Sequence, residues 1–274
     1  MDQKRALLQL KNITKTFSRG TVDQVTALNK VNLDVYSQDY VTIIGSNGAG
    51  KTTLLNIIAG VFPPERGSEV IVNDSDITTL REYRVATFVG RVYQDPNIGT
   101  ASKLTIEENL ALALLRGQPR GLRLALNKRR KEEFRRALSP LGLGLEDRLT
   151  TPVGTLSSGQ RQAVALVMAT ISNPSLLLLD EHVANLDPRT AQTVLDLTDM
   201  IVAQEKITTM MVTHNMEVAL RYGNRLIMMH RGRIVVDLGK EDKKDLTISD
   251  LVRAFERAAG EQLADESILL HCRE

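Results

Sequence analysis

The chain has 274 residues, of which 42% are hydrophobic and 25% charged. That fits a soluble globular protein built as one large domain or as a domain with an insertion. Its 35 basic and 33 acidic residues leave a net charge of +2, too even a balance for a general nucleic-acid binder. The single cysteine, Cys272, excludes an internal disulfide and fits a reducing compartment. No apolar run approaches the roughly 20 residues a membrane-spanning helix needs. Met1 to Arg5 carry no signal-peptide core, so a cytosolic chain that reaches a membrane through a partner is expected.

In chain order, Leu8 to Val35 reads as short strands with turns, and Val31 to Val35 alternates with period two. Tyr40 to Ile44 is a buried-type strand that ends at a glycine-rich loop. Lys51 to Ala59 reads as a helix stopped by Gly60, with Pro63-Pro64 beyond. Val85 to Tyr93 reads as a further strand closing on Gln94. From Asp95 to about Gly154 strand signals disappear. Thr105-Ile106-Glu107-Glu108 is a capping-box pattern ahead of a helix through Leu115, and Asn127 caps another that ends before Pro140. Arg161 to Ile171 is helix-forming. Apolar strands return at Leu176 to Leu179 and Thr208 to Thr213, and Leu226 to Asp237 suggests a hairpin turning near Arg231-Gly232. Strands alternating with helices argue for a largely parallel sheet covered on both faces. The tail has a cap at Ser249 and helical spacing at Leu251, Phe255 and Ala259, with Gly260 as the stop.

Two segments carry chemistry on their own residues. Gly45-Ser46-Asn47-Gly48-Ala49-Gly50-Lys51-Thr52 is a phosphate-binding loop between a strand and a helix. Its backbone N–H groups and the helix N-terminus favour phosphate. Lys51 would reach the β- and γ-phosphates of ATP, and Thr52 would hold Mg²⁺. Leu176 to Leu179 run into Asp180-Glu181 at the carboxyl end of a strand, where parallel sheets place ligand sites. There Asp180 accepts from Mg²⁺-bound water, and Glu181 acts as general base on the attacking water.

With Leu156-Ser157-Ser158-Gly159-Gln160 added, the chain resembles the ATP-binding cassette (ABC) ATPases over nearly its full length. Gly45 to Thr53 match the Walker A loop, Gln94 the Q-loop and Leu156 to Gln160 the signature. Asp180-Glu181 match the end of Walker B, Ala184-Asn185-Leu186-Asp187 the D-loop and His214 the switch histidine. Phe17 stands where the family places an adenine-stacking aromatic. The resemblance implies that Gln94 contacts Mg²⁺ or the attacking water, and that His214 hydrogen-bonds the γ-phosphate. It implies that Ser157, Ser158, Gly159 and Gln160 face the γ-phosphate on a second copy of the chain. Ser158 departs from the usual glycine, which is tolerable if its backbone angles are not glycine-only. His182 and Val183 replace the usual proline and threonine; His182 reads as a loop histidine without special chemistry, the alternative being a contact to the nucleotide of a partner copy.

The fold implied is an α/β P-loop NTPase of the ABC type. Its core is a mostly parallel sheet, with an N-terminal antiparallel β subdomain and an inserted helical subdomain. Residues 1–94 and 166–246 would form the nucleotide-binding core, 95–165 the helical subdomain with the signature, and 247–274 a helical tail. The function implied is ATP hydrolysis by a homodimer around two ATP, with Mg²⁺, at the cytoplasmic face of the cell membrane. It would drive integral-membrane permease subunits and, through them, work with an extracytoplasmic substrate-binding protein. The strings around Asp180 and His214 resemble a subgroup serving amino-acid uptake, aromatic ones among them. An exporter or lipoprotein-release ATPase is the alternative, and a non-transport ABC ATPase a further one. Arg116 to Arg136 is dense in Arg and Lys, which reads either as attraction to anionic headgroups or as a solvated helix face.

Overall fold

The computed structural model describes residues 5–117 and 126–260. Among the described residues ten strands form two sheets. β1 (Ala6–Phe17), β2 (Val25–Tyr36), β4 (Glu69–Val72) and β5 (Ser75–Asp76) make an antiparallel sheet in the order β2-β1-β4-β5. β3 (Tyr40–Gly45), β6 (Val89–Val92), β7 (Leu176–Asp180), β8 (Thr208–Val212), β9 (Arg225–His230) and β10 (Arg233–Leu238) make the second. Its order is β10-β9-β3-β8-β7-β6. Every neighbouring pair from β9 to β6 is parallel, and β10 returns antiparallel along β9.

The longer helices that flank the sheets are α1 (Lys51–Ile58), α2 (Ile106–Leu114), α3 (Lys128–Leu138), α4 (Ser158–Thr170), α5 (Pro188–Glu205), α6 (Met216–Arg221) and α7 (Ile248–Gly260). Between Val92 and Leu176 no described residue joins either sheet. The expected 165/166 boundary falls inside α4, which is continuous.

Burial explains the two sequence patterns. β7 and β8 are buried at every position, as strands covered on both faces must be. Successive side chains of β7 enter different cores. Leu176 and Leu178 pack with Leu8, Leu10 and Leu33 of the antiparallel sheet and with Leu54 and Ile58 of α1. Leu177 and Leu179 pack with Leu110, Phe134, Leu166 and Leu195 of the helical side. The parallel sheet is thus the middle layer.

Several local expectations hold in detail. Thr105 and Glu108 form the capping box on α2, and the Asn127 side chain accepts from Arg130 N at 3.0 Å to start α3. Others need correction. Leu8 to Val35 makes two 12-residue strands of one hairpin, not several short ones. The strand expected from Val85 starts at Val89, because Glu82–Val85 is a helical turn. The cap of α7 is Thr247, which accepts from Asp250 N at 3.2 Å while Asp250 accepts from Thr247 N at 3.0 Å; Ser249 lies inside the helix. β4 and β5 carry no recognisable sequence signal: four and two residues give too little alternation. Cys272 and residues 118–125 of the basic stretch lie outside the described residues.

Phe134 is fully buried and joins α3 to the helical side of the core. Phe134→Ala should lower unfolding stability by about 3–5 kcal/mol, measured as a reduced midpoint in urea.

Candidate active site

The site forms where β3 and β7 end. β3 runs into the glycine-rich loop, and Gly50, at φ 97°, caps α1. A Cβ on Gly50 would strike the backbone carbonyl of Ala27, so the antiparallel sheet leaves that position to glycine. The turn between β9 and β10 braces the same loop: Gly232 N donates to Ala49 O at 3.0 Å, and Gly232 O accepts from Asn29 N at 2.9 Å.

Lys51 is buried. Its Nζ donates to Gly45 O at 2.7 Å and to Ser46 O at 3.1 Å. Burial pushes its pKa down, and Glu181 and Asp180 pull against that shift. Thr52 Oγ1 donates to Asp180 Oδ1 at 3.2 Å. Glu181 takes a left-handed backbone, φ 48°, a cost of roughly 1–3 kcal/mol for a residue with a side chain. Its N–H donates to Val212 O at 3.1 Å, which anchors it to β8. Its Oε1 lies 2.5 Å from His214 Nε2. His214 in turn precedes α6, capped by Asn215 through Val218 N at 3.1 Å.

Asn47, Gly48, Ala49, Gly50, Lys51, Thr52, Thr53, Glu181 and His214 line one cavity of about 180 Å³. The two chemical segments and His214 therefore meet, although 130 residues of sequence separate Lys51 from Glu181. Asp180 lies beside this cavity through Thr52, and Gly45 and Ser46 support it through the Lys51 bonds. Thr52 and Asp180 offer two hard oxygen donors. That suits Mg²⁺, which takes one or two protein oxygens and fills its octahedron with phosphate oxygens and waters.

Three expected contributors stand apart from that cavity. Gln94 is exposed just after β6. Phe17 ends β1 and packs edge-on against Phe62, with centroids 5.5 Å apart. Ser157 to Gln160 begin α4, where Ser157 Oγ accepts from Gln160 N and Gln160 Oε1 accepts from Ser157 N. Ser158 is exposed and has no left-handed backbone, so a serine fits there. Gly159 is buried, and a Cβ on it would strike Thr190 of α5.

Two residues acquire roles the sequence does not reveal. Arg91 of β6 pairs with Asp180 at 2.9 Å with both side chains about nine-tenths buried; a cation inside an otherwise apolar strand is the available signal. His182 is not a free loop histidine. It is 2% exposed, and its Nε2 bonds Thr198 Oγ1 of α5 at 3.2 Å. It also lines a neighbouring cavity of about 430 Å³ that shares Glu181 and His214 with the first.

Comparison with known proteins matches residues 28–184 to the family described as "ABC transporter". The chain is 42% identical to the tyrosine transport ATP-binding protein of Clostridioides difficile, over 92% of this chain and 100% of that protein. It is 35% identical to a methionine import ATP-binding protein, MetN 2, of Enterococcus faecalis, over 88% of this chain and 69% of that protein. It is 34% identical to the lipoprotein-releasing system ATP-binding protein LolD of Chromohalobacter salexigens, over 84% and 94%. A solved structure, the dimeric post-hydrolysis state of the ATP-binding cassette MJ0796 bound to ADP and Pi, superposes with a TM-score of 0.72 at 28% identity. That match covers 85% of this chain and 98% of the other.

Burial pushes the His182 pKa down to about 4. Between about pH 6.5 and 4 the unfolded chain therefore binds more protons than the folded one, and stability falls as pH falls through that window. In nucleotide- and metal-free protein the contribution should reach about 3 kcal/mol. It should be absent from the difference between pH 7 and pH 8. Urea melts of the unaltered chain and of His182→Gln check this: the variant should lose part of the slope below pH 6.5.

Proposed function

The chain belongs to the ABC transporter family and is an ATPase and ATP-binding subunit of it, and from that premise we propose that it energises an importer of an aromatic amino acid. The observation that carries the chemistry is the single cavity lined by Lys51, Thr52, Glu181 and His214. The likeness at 42% identity to a complete tyrosine transport ATP-binding protein supports the cargo class. The 34% identity to a lipoprotein-releasing protein favours export instead, and the higher identity over a whole relative outweighs it.

In the proposed reaction the Gly45–Thr53 loop holds the phosphates of ATP on its backbone N–H groups. Lys51 leaves the carbonyls of Gly45 and Ser46 for the β- and γ-phosphate oxygens. Thr52 by its hydroxyl and Asp180 through a metal-bound water would hold Mg²⁺, which would supply positive charge against the phosphates. Glu181 takes a proton from water as the new O–P bond forms and the β–γ bridge breaks, leaving ADP and phosphate. His214 orients the Glu181 carboxylate and then donates to the γ-phosphate. Gln94, in the bend after β6 that leads into the helical segment 95–165, senses the nucleotide. Phe17 stacks on adenine.

Ser157 to Gln160 are proposed to complete the site of a second copy, so that two ATP lie between two chains. The similar cassette MJ0796 is itself a dimer in its post-hydrolysis state with ADP and Pi, which supports this reading. Among the described residues no helix is long and apolar enough to cross a membrane. In this proposal, work on a solute passes to integral-membrane permease subunits from the cytoplasmic face, fed by an extracytoplasmic substrate-binding protein.

Glu181→Gln should lower ATP turnover by about 10²–10⁴-fold while ATP binding persists, and the variant should run as a dimer in ATP and a monomer without it. Near-normal turnover removes Glu181 as the base, and a monomer in ATP removes the sandwich. Lys51→Ala in the native cell should abolish uptake of labelled tyrosine or phenylalanine. Intact uptake of both would overturn the cargo assignment.

A further inference from the structure

Asp180 is not free to turn. Arg91 reaches it from β6, the neighbouring parallel strand, where Arg91 pairs in register with Leu178. Arg91 Nη2 donates to Asp180 Oδ2 at 2.9 Å, and Nη1 donates to Asn56 Oδ1 of α1 at 2.6 Å. The guanidinium also lies over the Tyr93 ring, 4.5 Å from its centroid. Tyr93 O, one residue before Gln94, accepts from Gln162 Nε2 of α4 at 3.2 Å. Residues of β7 and α1 thus meet the cation that β6 carries, and α4 holds the backbone of the residue stacked on it.

The consequence is a division of labour between the two carboxylate oxygens. Oδ2 is taken by Arg91, and Oδ1 faces Thr52 Oγ1 at 3.2 Å. A carboxylate held this way offers a cation one oxygen in a fixed direction. That matches the strict octahedral demand of Mg²⁺ better than a rotating group could. A planar guanidinium can fork to Asp180 and Asn56 at once while stacking on Tyr93; an ammonium cannot. Resting on the ATPase reading above, we infer that Arg91 is a positioning residue that fixes one oxygen of Asp180 toward the nucleotide-bound divalent cation and the water it carries. The Arg91–Tyr93–Gln162 contacts also tie that carboxylate to the helix that begins with Ser158.

The test uses the full chain with the non-hydrolysable analogue AMP-PNP and Mn²⁺ as the probe, followed by electron paramagnetic resonance. R91K keeps the charge and removes the fork. It should raise half-saturating Mn²⁺ by about 10-fold or more, the usual scale for a partner that orients a metal ligand. Asn56→Ala leaves the ion pair but frees the guanidinium, and should move the same quantity in the same direction by less. AMP-PNP binding in EDTA should be unchanged in both variants. The Mg²⁺ dependence of ATP turnover should shift to higher metal, with most of kcat recovered at saturation. An unchanged Mn²⁺ half-saturation in R91K overturns the inference, as does a loss of AMP-PNP binding in EDTA as large as the loss of metal affinity. If R91K does not fold, an unchanged value in Asn56→Ala overturns it. If the unaltered chain binds AMP-PNP with no dependence on Mn²⁺, the ATPase reading itself fails and this inference with it.

Discussion

A buried ammonium sets the terms for the rest of the molecule. Lys51 stands at the start of α1, at the carboxyl edge of the parallel sheet, and is 5% exposed. A charge taken out of water must be hydrogen-bonded and paired. Its bonds come from the carbonyls of Gly45 and Ser46, which requires the loop to curl back over its own helix. Its counter-charges come from Asp180 and Glu181, which requires β7 to end beside β3 with one strand, β8, between them. A parallel sheet supplies that alignment because its strands all end on the same side. The phosphate loop and the acidic pair are therefore two halves of one electrostatic arrangement.

The layers around that arrangement keep it narrow. On one face the antiparallel sheet presses on the loop through the Ala27 carbonyl at Gly50 and through Asn29 at Gly232. On the other, α4 meets α5 closely enough that Gly159 has room for no side chain. Between them, alternate leucines of β7 enter opposite cores. A shift of β7 by one residue would exchange those leucines between cores and swing Asp180 and Glu181 away from Thr52 and His214. Packing thus fixes the register that the chemistry uses. His182 contributes from the same turn: buried and bonded to Thr198, it fastens the chain directly after Glu181 to α5.

The legibility of the sequence follows from how local each signal is. The Thr105 and Asn127 caps, the β3–loop–α1 unit and the Arg231-Gly232 turn are specified within a few residues, and each is readable. The gathering of Lys51, Thr52, Glu181 and His214 is also readable, because each sits in a motif whose position at a strand end is part of the signal. The pairings of Arg91 with Asp180, Arg91 with Asn56 and His182 with Thr198 are not. They span 89, 35 and 16 residues; the lone cation in an apolar strand marks Arg91 but does not name its partners, and nothing local marks His182. His182 misleads for the same reason: a turn beside a polar motif looks exposed, yet α5 closes over it. The short β4 and β5 form because β1 offers an edge to pair with, a tertiary cause that a four-residue window does not contain.

The start of α4 bears on the proposed second copy. A helix leaves its first N–H groups without intrahelical partners. Here the capping box satisfies Ser157 N and Gln160 N within the chain, while Ser158, on the first turn, remains exposed. The same residues stand outside the cavity that holds Lys51 and Glu181, whose own loop already supplies the phosphate cradle. A Cβ at position 159 would meet the Thr190 side chain, so the helix start lies close against α5. A helix start that is exposed and apart from its own chain's phosphate loop leaves its dipole end open to the proposed second copy. In the proposed sandwich, the γ-phosphate held on a second copy would be the anion this helix start meets.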